Sequence, residues 1–246
     1  MMSTHVKTLL VASTLFIFAL PGFAQINNVA ETKDLLLERV NVRYIKTIDM
    51  LIFEQKVQGK AGHTVPNKAG NMDGAPVLGY VFPTTLSPEQ VGFKSEAGIV
   101  ALAATSHPDF DDTPLWDENN NSDFNDDGLV FHTHWVLLGS DDRVPGGLSV
   151  IEIKKEMTAE VLPPTAPGMP MYLDSPGFPV NLDKQTLQIA VPASRIKGSV
   201  DFNYDGVTAY MEVNTSDESR PLLGVYKVYS VVSGDLSLPF DVTHKR

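Results

Sequence analysis

The chain contains no cysteine. That single absence removes disulfides, thiolate nucleophiles, cysteine-bound zinc and iron–sulfur clusters. Basic residues are also scarce: 19 Lys and Arg stand against 30 Asp and Glu, for a net charge of −11. Such a surface repels nucleic acid and anionic lipid and attracts cations, so nucleic acid is not expected among the partners. Long apolar runs are nearly missing. The one candidate, residues 9–20, follows Lys7 and precedes Pro21-Gly22-Phe23-Ala24. It is shorter than the roughly 20 residues of a membrane span and has the layout of a secretory signal peptide. Cleavage after Ala24 is expected, with an uncleaved anchor as the alternative. Residues 25–246 would then be a secreted or periplasmic protein with no membrane span. Without disulfides, an exported chain of this size relies on a large core. Phosphate-cradling loops of the GxGxxG or Walker type are absent, and Ser140 and Ser149 do not lie in a G-x-S-x-G elbow.

What the chain does have is strand pattern. Residues 30–39 read as a short N-terminal helix, and alternation takes over from residue 48 to a stop at Gly59. Further strands are expected at 77–82, 98–105, 129–138, 148–153, 186–191, 199–204, 207–213 and 222–232, separated by Pro, Gly, Asn and Asp. This is an all-β pattern, expected as a single antiparallel two-sheet sandwich over residues 25–246, with a jelly roll or a barrel as alternatives. The Pro-rich stretch 162–171 is expected as a crossover between sheets. Its Met169 and Met171 offer thioethers, which suit Cu(I), although packing is the plainer use.

The most informative segment is Phe131-His132-Thr133-His134-Trp135. On a strand, side chains at i and i+2 share a face, so the two imidazoles project together. Paired imidazoles on a rigid strand suit a transition metal. Before them runs an acidic loop, 106–128, with eight carboxylates and no Lys or Arg. If the flanking strands pair as a hairpin, His107 and Asp109 come close to His132. The expected ligand set is therefore His132, His134, His107 and Asp109, holding zinc or copper, with Asp111 as a neighbouring carboxylate.

The same five residues resemble the strand carrying two zinc histidines in α-type carbonic anhydrases. Only His132 and His134 carry over. That family takes its third zinc histidine from a neighbouring strand a few tens of residues downstream, whereas here the next histidine is His244. The chain is not assigned to that family.

Two segments match the D-x-N-x-D-G pattern of calcium loops. Asp201 to Gly206, continuing to Glu212, completes the spacing. Asp205-Gly206 is, however, a favoured two-residue hairpin turn, and it would place Val200, Phe202 and Tyr204 on one face with Val207, Ala209 and Met211. The hairpin is the expected reading there. The other match lies in the acidic loop, where Asp117, Asn119, Asp123, Asn125 and Asp127 offer oxygens to calcium.

Three functions follow: an exported protein that holds zinc or copper for sequestration, delivery or sensing; a zinc hydrolase or hydratase that uses the same histidines, with Asp109 or Asp111 as base; or a carbohydrate- or ligand-binding module with a calcium-stiffened loop. In the last, Trp116, Trp135, Tyr172, Tyr204 and Tyr210 would form the platform.

Overall fold

A computed structural model describes residues 30–113, 117, 121–122 and 128–246. The expected leader, residues 1–24, lies outside them. The described residues are mostly β: β1 (Leu37–Ile45), β2 (Met50–Val57), β3 (Pro76–Pro83), β4 (Ile99–Ser106), β5 (His132–Ser140), β6 (Leu148–Val150), β7 (Leu173–Asp174), β8 (Val180–Asp183), β9 (Thr186–Pro192), β10 (Asn203–Tyr204), β11 (Val207–Val213), β12 (Leu223–Val231), β13 (Phe240–Asp241) and β14 (Thr243–Lys245). Among the described residues one four-residue helix forms, α1 (Thr158–Val161); the Pro-rich segment 162–171 after it leads from β6 to β7 within one sheet and does not cross between sheets.

The sheets differ from the expected sandwich. Strands β4-β3-β11-β12-β6-β5 pair in that order, and β5 pairs back onto β4, so the larger sheet closes into a six-stranded barrel. Closure removes the open edges that such a sheet would otherwise expose. A second sheet, β14-β1-β2-β9-β8, packs on the barrel's outer wall. Two apolar cores result. One lies between wall and sheet, where Phe53 meets Phe82 and Trp135 edge-on. The other fills the barrel, from Val77, Val81 and Ala103 to Ala209, Met211 and Val225.

This double coverage explains the sequence pattern. All eight residues of β3 and all seven of β11 are buried, because one side faces the barrel interior and the other faces outer-wall neighbours. β3 accordingly lacks the polar alternation that marks a one-sided sheet, whereas β11 keeps Thr208 and Glu212 among its buried residues. In β9 only one side is covered, and its burial alternates residue by residue.

Two local expectations are corrected. Of the N-terminal helix only a single 3-10 turn forms, Lys33–Leu35. Residues from 37 onward run as β1, because Val40 and Val42 alternate into the core and β2 supplies a full antiparallel partner. Asp205-Gly206 does not close a hairpin. β10 pairs with β13, while β11 pairs with β3 and β12. A type I′ turn needs left-handed backbone at both residues, and neither Asp205 nor Gly206 has a positive φ. Asp205 is instead buried, accepting hydrogen bonds from the Gly206 N–H and the Ser233 N–H and hydroxyl. The shared face fails with the hairpin: Val207, Ala209 and Met211 point into the barrel, whereas Phe202 and Tyr204 lie in the core between wall and sheet, with Val200 packed against it. Trp135, Tyr172, Tyr204 and Tyr210 are buried and offer no surface platform, while Trp116 lies outside the described residues. Met169 and Met171 both line the barrel's interior cavity.

Candidate metal centre

β4 and β5 form the expected antiparallel hairpin, with Thr105 opposite His132 and Ala103 opposite His134. His107 follows the last residue of β4, and so it meets the first residues of β5. His107, His132 and His134 converge with Asp112, their ligand atoms all within 4.8 Å of one another. Half of the chain's six histidines therefore meet at one buried point.

Hydrogen bonds fix the ring tautomers. His107 Nδ1 donates to the Phe110 carbonyl at 2.8 Å, and His132 Nδ1 donates to the Val130 carbonyl at 2.7 Å. For His134 the argument takes one more step. The Ser175 hydroxyl donates its proton to the Asp112 carbonyl at 2.9 Å, so it accepts from His134 Nδ1 at 3.1 Å. All three Nε2 atoms are thereby turned towards one another, and His134 Nε2 has no hydrogen-bond partner. A partner on the far ring nitrogen both orients an imidazole and makes its free nitrogen a better ligand.

His107 Nε2 and His132 Nε2 stand 2.7 Å apart. Asp112 Oδ1 lies 3.3, 3.4 and 3.5 Å from the Nε2 atoms of His107, His132 and His134. Asp112 Oδ1 and His134 Nε2 are buried without a hydrogen-bond partner. Four converging lone pairs repel unless a proton or cation sits among them. Ligand bonds of about 2.0–2.1 Å around zinc give a tetrahedron with edges of roughly 3.3–3.4 Å; the three Asp112 distances match that edge, and the His107–His132 edge would have to widen from 2.7 Å. The residues present therefore fit a transition ion.

Charge follows from burial. Burial pushes the His134 imidazolium pKa down to about 3, against the pull of Asp112, so the ring stays neutral. Burial also disfavours ionised Asp112, but the neighbouring imidazoles outweigh it and hold the carboxyl well below its usual range. For His107, burial is overcome by Asp112 and the pKa is raised. An anionic oxygen among imidazole nitrogens is the donor set of a divalent transition cation.

Three of the four sequence-expected ligands are brought together, and the fourth is not. Asp109 accepts the Ala69 and Gly70 N–H groups at 2.9 and 2.7 Å, capping another loop. Asp111 accepts the Thr113 N–H at 2.8 Å, and that local turn aims Asp112 inward. The carboxylate that joins the histidines is Asp112, one of eight acidic candidates in the loop. No periodicity in an irregular segment could have singled it out. Gly128 closes the loop with φ +93°. A Cβ there would lie 2.3 Å from the Phe110 carbonyl oxygen and 2.5 Å from that of His107. Only glycine fits this crossing.

Of the expected calcium ligands, Asn119, Asp123, Asn125 and Asp127 lie outside the described residues. Asp117 accepts the N–H groups of Asn121 and Ser122 at 3.1 and 2.7 Å. Among the described residues, no helix is long and apolar enough to cross a membrane. No protein-family model, curated protein or solved structure matches the chain.

Proposed function

We propose that this chain is a metal-binding protein that holds one divalent transition ion on His107, Asp112, His132 and His134, with zinc as the first choice and copper as its rival. The observation that carries this reading is the convergence of three Nε2 atoms, each ring held by a hydrogen bond at its other nitrogen, with one unpartnered carboxylate oxygen at a buried point. An ion bound there would neutralise the carboxylate and satisfy the four lone pairs. The work is divided among the elements. β5 presents His132 and His134 on one side, the end of β4 presents His107, and the Asp111 turn presents Asp112. Phe110, Val130 and Ser175 orient the three rings. Four protein ligands complete a tetrahedral zinc site, as in centres that retain an ion rather than activate water. With the secretory leader expected at residues 1–24, the role would be sequestration, delivery or sensing outside the cytoplasm.

The hydrolase or hydratase reading keeps one specific support: His107, Asp112 and His134 line the interior cavity of the barrel, where a small molecule could approach.

Elemental analysis of the full chain, purified without an affinity tag, tests the proposal. One zinc or copper per chain is expected, absent from His132→Ala/His134→Ala, reduced in Asp112→Ala and retained in Asp109→Ala. No transition ion in the parent protein, or equal content in the double variant, would overturn it.

A further inference from the structure

The barrel interior is not fully packed. It holds a cavity of about 70 Å³, partly open to solvent. At roughly 10–15 Å³ for each water-sized occupant, that is room for about five to seven non-hydrogen atoms. The wall is apolar, with Val136, Ala209, Met211 and Val225 around its girth. Four polar residues interrupt it: Thr105, His107, Asp112 and His134. All four lie at one end, because Thr105 and His134 sit where β4 leaves and β5 enters the barrel. From there the wall runs to Ile99 and Leu138, paired six residues along β4, or about 20 Å at the usual strand rise. Ile99 and Val228 at that far end are partly exposed, and Leu236 and Leu238 lie over it.

Three of the polar residues belong to the metal set, but Thr105 does not. Its Oγ1 is buried, has no hydrogen-bond partner and lies on the cavity wall. A buried hydroxyl left unpaired is costly, and a strand interior has no shortage of Val to take its place. The hydroxyl and the void beside it call for the same occupant.

We infer that the barrel interior is a binding site for a compact, largely apolar molecule of about five to seven non-hydrogen atoms with one polar head, the head hydrogen-bonded to Thr105 Oγ1. The apolar body displaces nothing that a polar wall would miss, and the hydroxyl gains the partner it lacks. The body's fit depends on the cavity alone. The proximity of the head to a bound ion rests on the metal reading above.

Phenol and toluene make a matched test, since both have seven non-hydrogen atoms and a ring of the right girth, and only phenol carries a hydroxyl. Calorimetric titration of the full-length chain should show saturable one-to-one binding of both. Phenol should bind about five- to tenfold tighter, the weight of one buried hydrogen bond. Thr105→Val should remove the phenol preference and leave toluene binding unchanged. Ala209→Leu should abolish binding of both, with the metal content of the parent protein. Ala209→Val, a smaller intrusion, serves if the leucine variant does not fold and should weaken both. No saturable binding of either probe, or binding indifferent to the change at Ala209, would overturn the inference. A phenol preference that survives Thr105→Val would overturn the assignment of the head. Toluene binding lost in Ala209→Leu, in a protein without a transition ion, would uphold the cavity and sink the metal reading. A metal-loaded protein that binds neither probe would do the reverse.

Discussion

Replacing Asp112 with Asn changes one atom and almost no volume, yet it strips the charge from the oxygen at the centre of three imidazoles. That oxygen stands 3.3 to 3.5 Å from each Nε2 and has no hydrogen-bond donor of its own. If it is a metal ligand, its loss should exceed the effect of removing a group that merely hydrogen-bonds a ligand, which alone weakens metal binding by about 10–100-fold. That range corresponds to about 1.4–2.8 kcal/mol. For a domain of this size each kcal/mol shifts the melting temperature by roughly 2–4 °C. In excess zinc, Asp112→Asn should therefore melt at least about 3–11 °C below the parent. The deficit should shrink when both proteins are stripped with chelator, since it arises from the bound ion. Competition against a chromophoric chelator gives the affinity directly, and calorimetric melting gives the shift. Asp109→Asn is the matched control, because its carboxylate caps two backbone amides in another loop. Parent-like affinity in Asp112→Asn, or an equal loss in Asp109→Asn, would refute the ligand assignment.

Other consequences follow from the same geometry. Gly128→Ala places a Cβ against two carbonyl oxygens at a left-handed φ. Strain of about 1–3 kcal/mol is expected, visible in urea melts together with weaker metal binding. Gly206→Ala is its counterpart away from the site: a Cβ there meets Val40 Cβ at 2.7 Å. Overpacking of about 1–3 kcal/mol should lower stability while metal stoichiometry stays at the parent value. The metal-free protein should also carry a signature of His134. Its imidazole is pushed down to about 3 in the folded state, against an ordinary value near 6.5. The unfolded chain then binds a proton that the folded chain refuses, so this residue's contribution to stability falls as pH drops from about 6.5 towards 3. Metal-free His134→Gln should lose that part of the pH dependence, measured as the difference in urea midpoints between pH 7 and pH 4. An unchanged difference would contradict the buried neutral ring.

The histidines were legible in the sequence because strand geometry is periodic. An i, i+2 pair must share a face, and a hairpin must bring the end of β4 beside the start of β5. Asp112 was not legible. Its direction is set by the Asp111–Thr113 turn, and Asp109 was drawn away by amides from a loop some 40 residues earlier. A barrel stood among the alternatives, but its closure could not be chosen from the sequence. It depends on pairings such as β11 with β3 and β12 with β6, which join segments far apart in the chain. β3 gave a clue, since Pro76–Pro83 carries no charged side chain, but β11 hid it, because Thr208, Tyr210 and Glu212 alternate with apolar residues as in a one-sided sheet. The N-terminal segment misled because its charges surround Leu35 to Leu37 as a helix would, whereas β2 offered Val40 and Val42 a better burial. Asp205-Gly206 misled for a different reason: a favoured turn dipeptide does not fix backbone dihedrals when neighbouring strands pair elsewhere.

Whether three Nε2 atoms and one carboxylate oxygen hold a single transition ion is tested most directly by X-ray absorption at the metal edge of the tag-free protein. The expected spectrum is that of three imidazole nitrogens and one oxygen at about 2.0–2.1 Å from zinc. A shell containing sulfur, an all-oxygen shell, or no transition-metal edge at all would contradict it.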